Sequence, residues 1–373
     1  MDFDILPHTI LLTVAGSRAY GIHTSTSDVD IKGVAIPPRK YILGFRGRFE
    51  QCDDKNLIAP FVQFLNNEQK EAVAREKLEG TVYDLRKFMR LATECNPNIL
   101  DVLFCRDEEV AYITPLGHIL RDNRELFLSA KAKHSFSGYA IAQLKRIKGH
   151  KAWLMNPPDH APTREEFGLG EEVIPKKQYD ILWDAIKKKM DTWSWDFGDM
   201  PESEIIRVEN DIATHLAEIG ACSSDMWVYA ARALGSSEEI IGHVKNEKKY
   251  LDAKSNWEKY NDWKNGRNAS RAALEAKYGY DTKHGAHLVR LLSTGLEIMC
   301  DGDVNVWRGN IDAAKLLGIR NGEWTYDYLV GWAEEKDAEL TEIYKSKKYA
   351  VPHMPDFNAL DNLCDRLLTE TLK

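Results

Sequence analysis

The sequence lacks several features that would each have defined a class of protein. No apolar run in its 373 residues approaches the roughly 20 residues that a membrane-spanning helix needs. Its six cysteines are scattered without a CxxC pair, which argues against a structural zinc site and against a disulfide framework. The N-terminus has no basic segment before its apolar stretch, so no signal peptide is expected, and the cytoplasm is the expected location.

Positive charge is also scarce. The chain has 50 Lys and Arg residues against 58 Asp and Glu residues, which gives a formal net charge of −8. A protein that coats nucleic acid without sequence preference is normally basic, whereas a local basic patch can bind a phosphate backbone even on an acidic protein. The composition therefore weakens the case for a nucleic-acid partner without excluding it, and the length suggests two domains.

The hydrophobic pattern changes character along the chain. Apolar or β-branched stretches predict strands at residues 9–14, 29–36 and 78–83. The segment after Asp84 has the periodicity of an amphipathic helix, and beyond residue 128 the pattern is almost wholly helical. We therefore predict an α+β protein with a small domain over residues 1–128 and a mostly helical domain over residues 129–373.

Two aspartates in the stretch SDVDIKGV carry most of the functional information. Asp28 and Asp30 stand one residue apart at the start of a predicted strand, so their side chains project from one face. Carboxylates this close repel each other, and a divalent cation removes the conflict. Mg²⁺ is typically bound by one or two carboxylates together with substrate phosphates. The alternative is that both aspartates belong to the solvated end of a strand.

A Gly-Ser turn lies between the first predicted strand and this one. Backbone N–H groups around Gly16 and Ser17 can bind phosphate oxygens, and Gly16 lets a ligand approach the backbone closely. The neighbouring Arg18 adds a positive charge that suits a triphosphate. An ordinary turn is the alternative, since Gly-Ser pairs are common. The order of apolar strand, Gly-Ser turn, short helix and acidic strand makes a nucleotide site the stronger interpretation.

This ordered set resembles the signature of the DNA polymerase beta superfamily of nucleotidyltransferases, in which an apolar strand, Gly-Ser and an acidic-hydrophobic-acidic triplet follow one another. Gly16, Ser17, Asp28 and Asp30 match that signature position for position. Further blocks, among them VYDLRKFMRLATECNPNILDVLF and GYDTKHGAHLVRLL, are similar to predicted nucleotidyltransferases found beside RNA ligases in bacteria and phages. The resemblance implies a polymerase-beta-like domain with a mixed sheet and flanking helices.

The resemblance also implies a mechanism and a third acidic residue. Members of the superfamily transfer a nucleotide from an NTP with the help of two metal ions, here Mg²⁺ or Mn²⁺. The third acid serves as general base or as a metal ligand, and we favour Glu79, which lies inside a predicted strand as the family pattern requires. Asp84 is the alternative, although it is also well placed to cap the helix that follows it.

A basic helix face is predicted in the helical part of the chain, in the stretch DTKHGAHLVRLL. Lys283, His287 and Arg290 follow one another at spacings of four and three residues, so they share one face of the helix. We assign these side chains to nucleotide binding. A solvated cationic face is the alternative interpretation.

The densest run of positive charge lies within residues 131–151, and Tyr139 and Trp153 interleave with it. A basic stripe with aromatic residues suits a single-stranded or tRNA-like acceptor. For Tyr139 and Trp153 we favour the alternative, packing in the core. The residues assigned to acceptor binding are Lys145, Arg146 and His150.

The leading hypothesis is an enzyme that moves a nucleoside monophosphate from an NTP to an acceptor hydroxyl at the 3′ end of RNA or another nucleic acid, as in RNA repair. A second hypothesis keeps the chemistry and changes the acceptor to a protein side chain or a small molecule. A third is a catalytically idle nucleotide-binding module, against which the presence of both Asp28 and Asp30 argues. No membrane partner is expected.

Overall fold

The computed structural model describes residues 3–25, 27–45, 48–75, 78–170, 176–191, 226–266 and 269–372. Within these residues, strands and helices alternate in the N-terminal part and the rest is mostly helical, which confirms the predicted α+β class. None of the helices in this described part of the chain combines the length and the apolarity that crossing a membrane requires.

A five-stranded sheet forms the centre of the N-terminal part. Its strands are β1 (Thr9–Ala15), β2 (Val29–Ala35), β3 (Gln51–Cys52), β4 (Leu78–Asp84) and β5 (Val110–Ile113). They lie in the order β3-β4-β2-β1-β5. Only β2 and β4 pair in parallel, whereas the other neighbouring strands pair antiparallel, so the sheet is mixed as predicted.

Short helices surround this sheet and longer ones follow it. The N-terminal helices are α1 (Gly16–Ala19), α2 (Arg39–Ile42), α3 (Lys55–Ile58), α4 (Asn67–Arg75), α5 (Leu85–Thr93), α6 (Pro97–Phe104) and α7 (Pro115–Asp122). The later helices are α8 (Ala132–Met155), α9 (Lys176–Asp191), α10 (Met226–Ala233), α11 (Glu238–Asn265), α12 (Ala269–Tyr278), α13 (Thr282–Asp301), α14 (Ala313–Arg320), α15 (Tyr326–Lys345) and α16 (Phe357–Leu372).

Both faces of the sheet are covered, which explains why β1 has no polar alternation. All seven residues of β1 are buried. Leu11 and Val34 belong to the larger core that includes α5, α6 and α13, whereas Leu12 and Ile31 belong to a smaller core on the other face. A strand that is buried on both sides has an almost continuous apolar sequence, as the stretch TILLTVA does.

The chain forms two compact units. They are Met1–Met155 together with Asn268–Lys373, and Asn156–Arg267. The first unit contains the sheet and also α8 and α13, which pack against each other. Because these helices belong with the sheet, the predicted division at residue 128 does not coincide with the compact units, and it stays a prediction. The second unit has an apolar cluster of its own around Ile186, Trp227 and Ile241.

Candidate active site

The Gly-Ser turn brings the backbone into contact with one of the two aspartates. β1 ends at Ala15, and α1 begins directly at Gly16, whose φ is 64°. A Cβ atom at Gly16 would lie 2.1 Å from Oδ2 of Asp30. The left-handed backbone and the close approach each favour glycine, so glycine is the residue that allows the turn to lie against the Asp30 carboxylate.

Asp28 and Asp30 converge on the same cavity as this turn. Asp28 directly precedes β2, and Asp30 is its second residue. Both line a cavity of about 300 Å³ together with Gly16 and Ser17. Burial raises the pKa of Asp30, and the neighbouring Asp28 carboxylate raises it further. The predicted repulsion between the two carboxylates is therefore present in the fold.

The geometry separates the two candidates for the third acid. Glu79 lies opposite Asp30 in the parallel pairing of β2 with β4, and its charge also raises the pKa of Asp30. Asp84 lies at the other end of β4, about 17 Å farther along the strand. Its buried carboxylate caps α5 by accepting the N–H groups of Arg86 and Lys87. Glu79 is thus beside the aspartate pair, and Asp84 is not.

The cavity of Asp28 and Asp30, which we call the cationic cavity, is also lined by helices from the distant part of the chain. Lys283, His287 and Arg290 of α13 all line this cavity, so they share one face of the helix as their spacing predicted. Its basic lining residues are Arg146, Lys283, His284, His287, Arg290 and Arg320. Acidic and basic groups of the first compact unit thus meet around one space.

Arg290 is the most deeply buried of these cations, with 2% of its surface exposed. Its guanidinium lies over the ring of Tyr20 at 3.8 Å from the centroid, and Nη1 lies 3.5 Å from Oδ1 of Asp101. The Tyr20 hydroxyl donates to Oδ2 of Asp101 at 2.6 Å. Burial raises the pKa of Tyr20 well above its ordinary value. These contacts fix Arg290 at the edge of the cationic cavity.

His287 is held in its neutral form. Burial is the main cause, and the neighbouring Arg290 charge adds to it, so that the pKa of His287 falls to about 3. Nη2 of Arg290 lies 3.5 Å from Nδ1 of His287. A neutral imidazole can accept a hydrogen bond at one ring nitrogen and donate at the other. His287 therefore adds hydrogen-bonding capacity to the cavity and no charge near neutral pH.

Arg18 has a different position from the one expected for a phosphate-binding residue. It is buried and is absent from the lining of the cationic cavity. Its guanidinium donates to Glu68 at 3.0 Å and to the backbone carbonyl oxygens of Ser27 and Asp28 at 3.4 Å each. In this conformation, Arg18 holds the backbone that carries Asp28.

The three residues assigned to acceptor binding on α8 separate in the structure. Arg146 lines the cationic cavity, whereas Lys145 is exposed and does not line it. Nδ1 of His150 lies 3.0 Å from Oε1 of the buried Glu275. The structure therefore does not bring these three side chains together at one surface.

Arg320 and the Asp101–Tyr20 pair were not identified from the sequence as parts of the site. Nη1 of Arg320 donates to the carbonyl oxygen of Ile22 at 2.5 Å, and the side chain lines the cationic cavity. Burial lowers the pKa of Arg320, and Asp28 opposes that effect. No short spacing in the sequence links Arg320 to the aspartate pair or Asp101 to Tyr20.

A second cavity of about 420 Å³ adjoins the first and shares Gly16, Tyr20 and Asp30 with it. We call it the Glu79 cavity, since Glu79 is part of its lining. Lys32 also lines it and donates to the carbonyl and side-chain oxygens of Asn98 at 3.3 and 3.2 Å. Asp30 therefore lies between two separate spaces, one of them rich in cations.

The two aspartate carboxylates supply the oxygen ligands that a divalent cation prefers. Among the residues that the structure describes, no group of three His, Cys, Asp or Glu side chains is arranged to hold a metal ion alone. Asp28 and Asp30 nevertheless offer oxygen donors that line one cavity with Gly16, and the Asp28 charge adds to the burial that raises the pKa of Asp30. They fit a Mg²⁺ site that substrate phosphates complete.

Comparisons with known proteins find a matching family for the N-terminal part of the chain. Residues 6–154 match the family described as RNA repair pathway DNA polymerase beta family, RlaP. This confirms the predicted resemblance to the polymerase beta superfamily of nucleotidyltransferases. A protein of Enterobacteria phage T4, described as an uncharacterized 38.9 kDa protein in the nrdC-mobD intergenic region, is 24% identical over 374 residues, covering 97% of each chain. No solved structure gives a significant match.

Proposed function

We propose that the protein transfers a nucleoside monophosphate from an NTP to the 3′ hydroxyl of an RNA strand and releases pyrophosphate, with Mg²⁺ or Mn²⁺ as cofactor. The matched family supports nucleotidyltransferase activity in RNA repair. The observation that carries the proposal is the cationic cavity, where Asp28 and Asp30 face the same space as the cations of α13. We propose that the reaction takes place in the cytoplasm.

The cationic cavity is proposed to bind the NTP. Lys283, Arg146 and Arg320 supply positive charge to a polyphosphate, and Arg290 is held rigidly by Asp101 and Tyr20. Charged hydrogen bonds of this kind are about twice as strong as neutral ones. A cation bound by Asp28 and Asp30 would neutralise phosphate charge and polarise the α-phosphoryl group.

The Glu79 cavity is proposed to receive the acceptor hydroxyl. Glu79 is an exposed carboxylate on the strand next to Asp30, so it can accept the proton as the hydroxyl oxygen attacks the α-phosphorus. The new bond joins that oxygen to phosphorus, and the bond to the pyrophosphate oxygen breaks. Most of the acceleration would come from positioning and from compensation of charge.

The test is transfer of label from [α-³²P]NTPs to total RNA in the presence of Mg²⁺. Asp28→Asn and Asp30→Asn variants should each lose transfer by about a thousandfold or more, since the metal contributes several kcal/mol to the barrier. Asp122→Asn, an exposed residue of α7, is the matched control and should retain activity.

The same experiment decides between acceptors. Label in RNA supports the proposal, whereas label in a protein or a small metabolite would keep the chemistry and reject the acceptor. Full activity of both the Asp28→Asn and the Asp30→Asn variants would reject the metal site. Absence of transfer from every NTP, with intact nucleotide binding, would instead support an idle nucleotide-binding module.

A further inference from the structure

A groove rich in arginine and lysine lies at the far end of β4 from Glu79. Its volume is about 450 Å³, and we call it the basic groove. Its charged lining residues are Arg48, Arg86, Lys87, Arg90, Glu50 and Asp84. Four cations face two carboxylates there, although the whole chain has a net charge of −8. The groove is therefore locally positive on an acidic protein.

Two of these cations, Arg86 and Lys87, occupy positions that do not favour helix stability. Arg86 and Lys87 are the second and third residues of α5, and Arg90 lies about one turn farther on. The N-terminus of a helix carries a partial positive charge, so cations in the first turn are unfavourable there. The Asp84 cap offsets part of this cost. An anion bound in the groove would relieve the remainder.

The charges also converge in space. Nζ of Lys87 donates to Oε2 of Glu50 at 3.1 Å. That hydrogen bond and the Lys87 charge lower the pKa of Glu50, and Arg90 and Arg48 contribute as well. Neither Arg48 nor Arg90 forms an ion pair with any residue that the structure describes. Two exposed guanidinium groups thus remain available to a further anion.

Two exposed apolar residues flank a lining residue of the groove, Gly44, in the sequence. Leu43 is 64% exposed and Phe45 is 93% exposed, and the intervening Gly44 lines the groove. Cations that follow a phosphate backbone, together with an aromatic ring on which a base stacks, are the two components of single-strand binding sites. An acidic polypeptide would use the cations but has no bases to stack on Phe45.

The basic groove and the Glu79 cavity lie along the same edge of the sheet. β3 pairs with β4, and residues 48–55 run along that edge from Arg48 in the groove to Lys55 in the Glu79 cavity. The ends of β4 are roughly 20 Å apart. We propose that the basic groove binds the single-stranded RNA a few nucleotides upstream of the 3′ end that reaches Glu79. This inference rests on the proposed function.

The test measures binding of a fluorescein-labelled single-stranded RNA of about 12 nucleotides by anisotropy. Phe45→Ala should raise Kd about tenfold, which is the typical effect of losing one stacked base. The double variant Arg48→Ala/Arg90→Ala should reduce the steepness of log K against log salt by about 1.4, because two phosphate contacts are lost. All three side chains are exposed, so the midpoint of thermal unfolding should not change.

A matched control removes the same charge elsewhere. Lys345 and Lys348 are exposed at and beyond the end of α15, and Lys345→Ala/Lys348→Ala should leave Kd and the salt dependence unchanged. Unchanged Kd and salt dependence in both groove variants would overturn the inference. Displacement of the RNA by polyglutamate as effectively as by unlabelled RNA would also overturn it, in favour of an acidic protein partner.

A short acceptor separates this inference from the proposed function. A dinucleotide has a single internucleotide phosphate and cannot span the roughly 20 Å between the two ends of β4. The groove variants should therefore extend a dinucleotide at the wild-type rate and should extend the longer RNA more slowly. Equal slowing with both acceptors would overturn the inference and leave the function standing. Weakened RNA binding without transfer to either acceptor would uphold the groove and reject the function.

Discussion

Basic residues on two helices of the first compact unit, α8 and α13, were both assigned to ligand binding from the sequence, yet their surroundings in the fold differ. The cations of α13 line a cavity with Asp28 and Asp30. Those around α8 mostly meet carboxylates or aromatic rings. Examples are Lys131 with Glu94, Lys148 with Glu334, His150 with Glu275 and Lys151 over the ring of Tyr326.

The different contacts of the α8 and α13 cations show that a run of positive residues does not by itself predict a phosphate site. On α8 the neutralising groups come from helices and loops distant in sequence, and no local pattern reveals them. On α13 the helix face lines the same cavity as Asp28 and Asp30, so its positive charge lies beside the proposed binding site of the NTP phosphates. Four measurements test how far this contrast extends.

The largest expected effect concerns the buried cation of α13. Arg290→Ala removes the partner of the buried Asp101, and breaking a buried pair in this way costs about 3–5 kcal/mol of unfolding free energy. Chemical denaturation measures that cost. In the double variant Arg290→Ala/Asp101→Asn, the loss should be smaller than the sum of the two single losses, because no charge is left unpaired. Strictly additive losses would show that the contact is not energetically important.

The second effect concerns pH. The pKa of His287 is about 3 in the folded protein and about 6.5 in the unfolded chain. The unfolded chain therefore binds the proton first as the pH falls, and this residue costs up to about 1.4 kcal/mol of stability for each pH unit between about 6.5 and about 3. His287→Asn should flatten the acid side of the stability profile. On α8, burial lowers the pKa of the exposed His134, and His134→Asn should change the profile less.

The third effect compares nucleotide binding by the two helices directly. Lys283→Ala should weaken binding of a non-hydrolysable NTP about tenfold, since a hydrogen bond from a charged group contributes about 1.5 kcal/mol or more. Lys145→Ala on α8 should change the affinity less than about twofold, because Lys145 does not line the cationic cavity. Titration calorimetry measures both. Equal weakening by the two variants would remove the contrast.

The smallest effect is expected for the exposed ion pair of α8. Nζ of Lys148 lies 3.0 Å from Oε1 of Glu334, with 46% and 60% of the two side chains exposed. Such pairs contribute about 0–1 kcal/mol because water and salt screen them. Lys148→Ala should therefore leave both stability and nucleotide affinity nearly unchanged. A loss comparable with that of Arg290→Ala would contradict the distinction between buried and solvated cations.

The sequence predicted the parts of the fold and site that local patterns encode. The strands at residues 9–14, 29–36 and 78–83 are confirmed as β1, β2 and β4 with shifts of no more than one residue at any end. The spacing of Lys283, His287 and Arg290 correctly predicted a shared helix face. These features depend on neighbours a few residues apart, which periodicity reports directly.

The remaining features depend on contacts between distant segments. β3 has two residues, too few for a periodic pattern, and is stabilised by pairing with β4. Tyr20 forms a hydrogen bond with Asp101, which lies 81 residues away in the sequence, and Asp101 contacts Arg290, which lies 189 residues farther on. Arg18 follows Ser17 in the sequence, yet its guanidinium donates a hydrogen bond to the distant Glu68. Only the folded chain reveals such partners.

The central claim is that Asp28 and Asp30 bind a divalent cation that holds the phosphates of an NTP against the Gly16–Ser17 turn. Its most direct test is a crystal grown with Mn²⁺ and a non-hydrolysable NTP, in which anomalous scattering locates the metal. We predict Mn²⁺ coordinated by both carboxylates and by phosphate oxygens, with the polyphosphate in the cationic cavity. Nucleotide bound elsewhere, with both carboxylates lacking metal, would contradict the account.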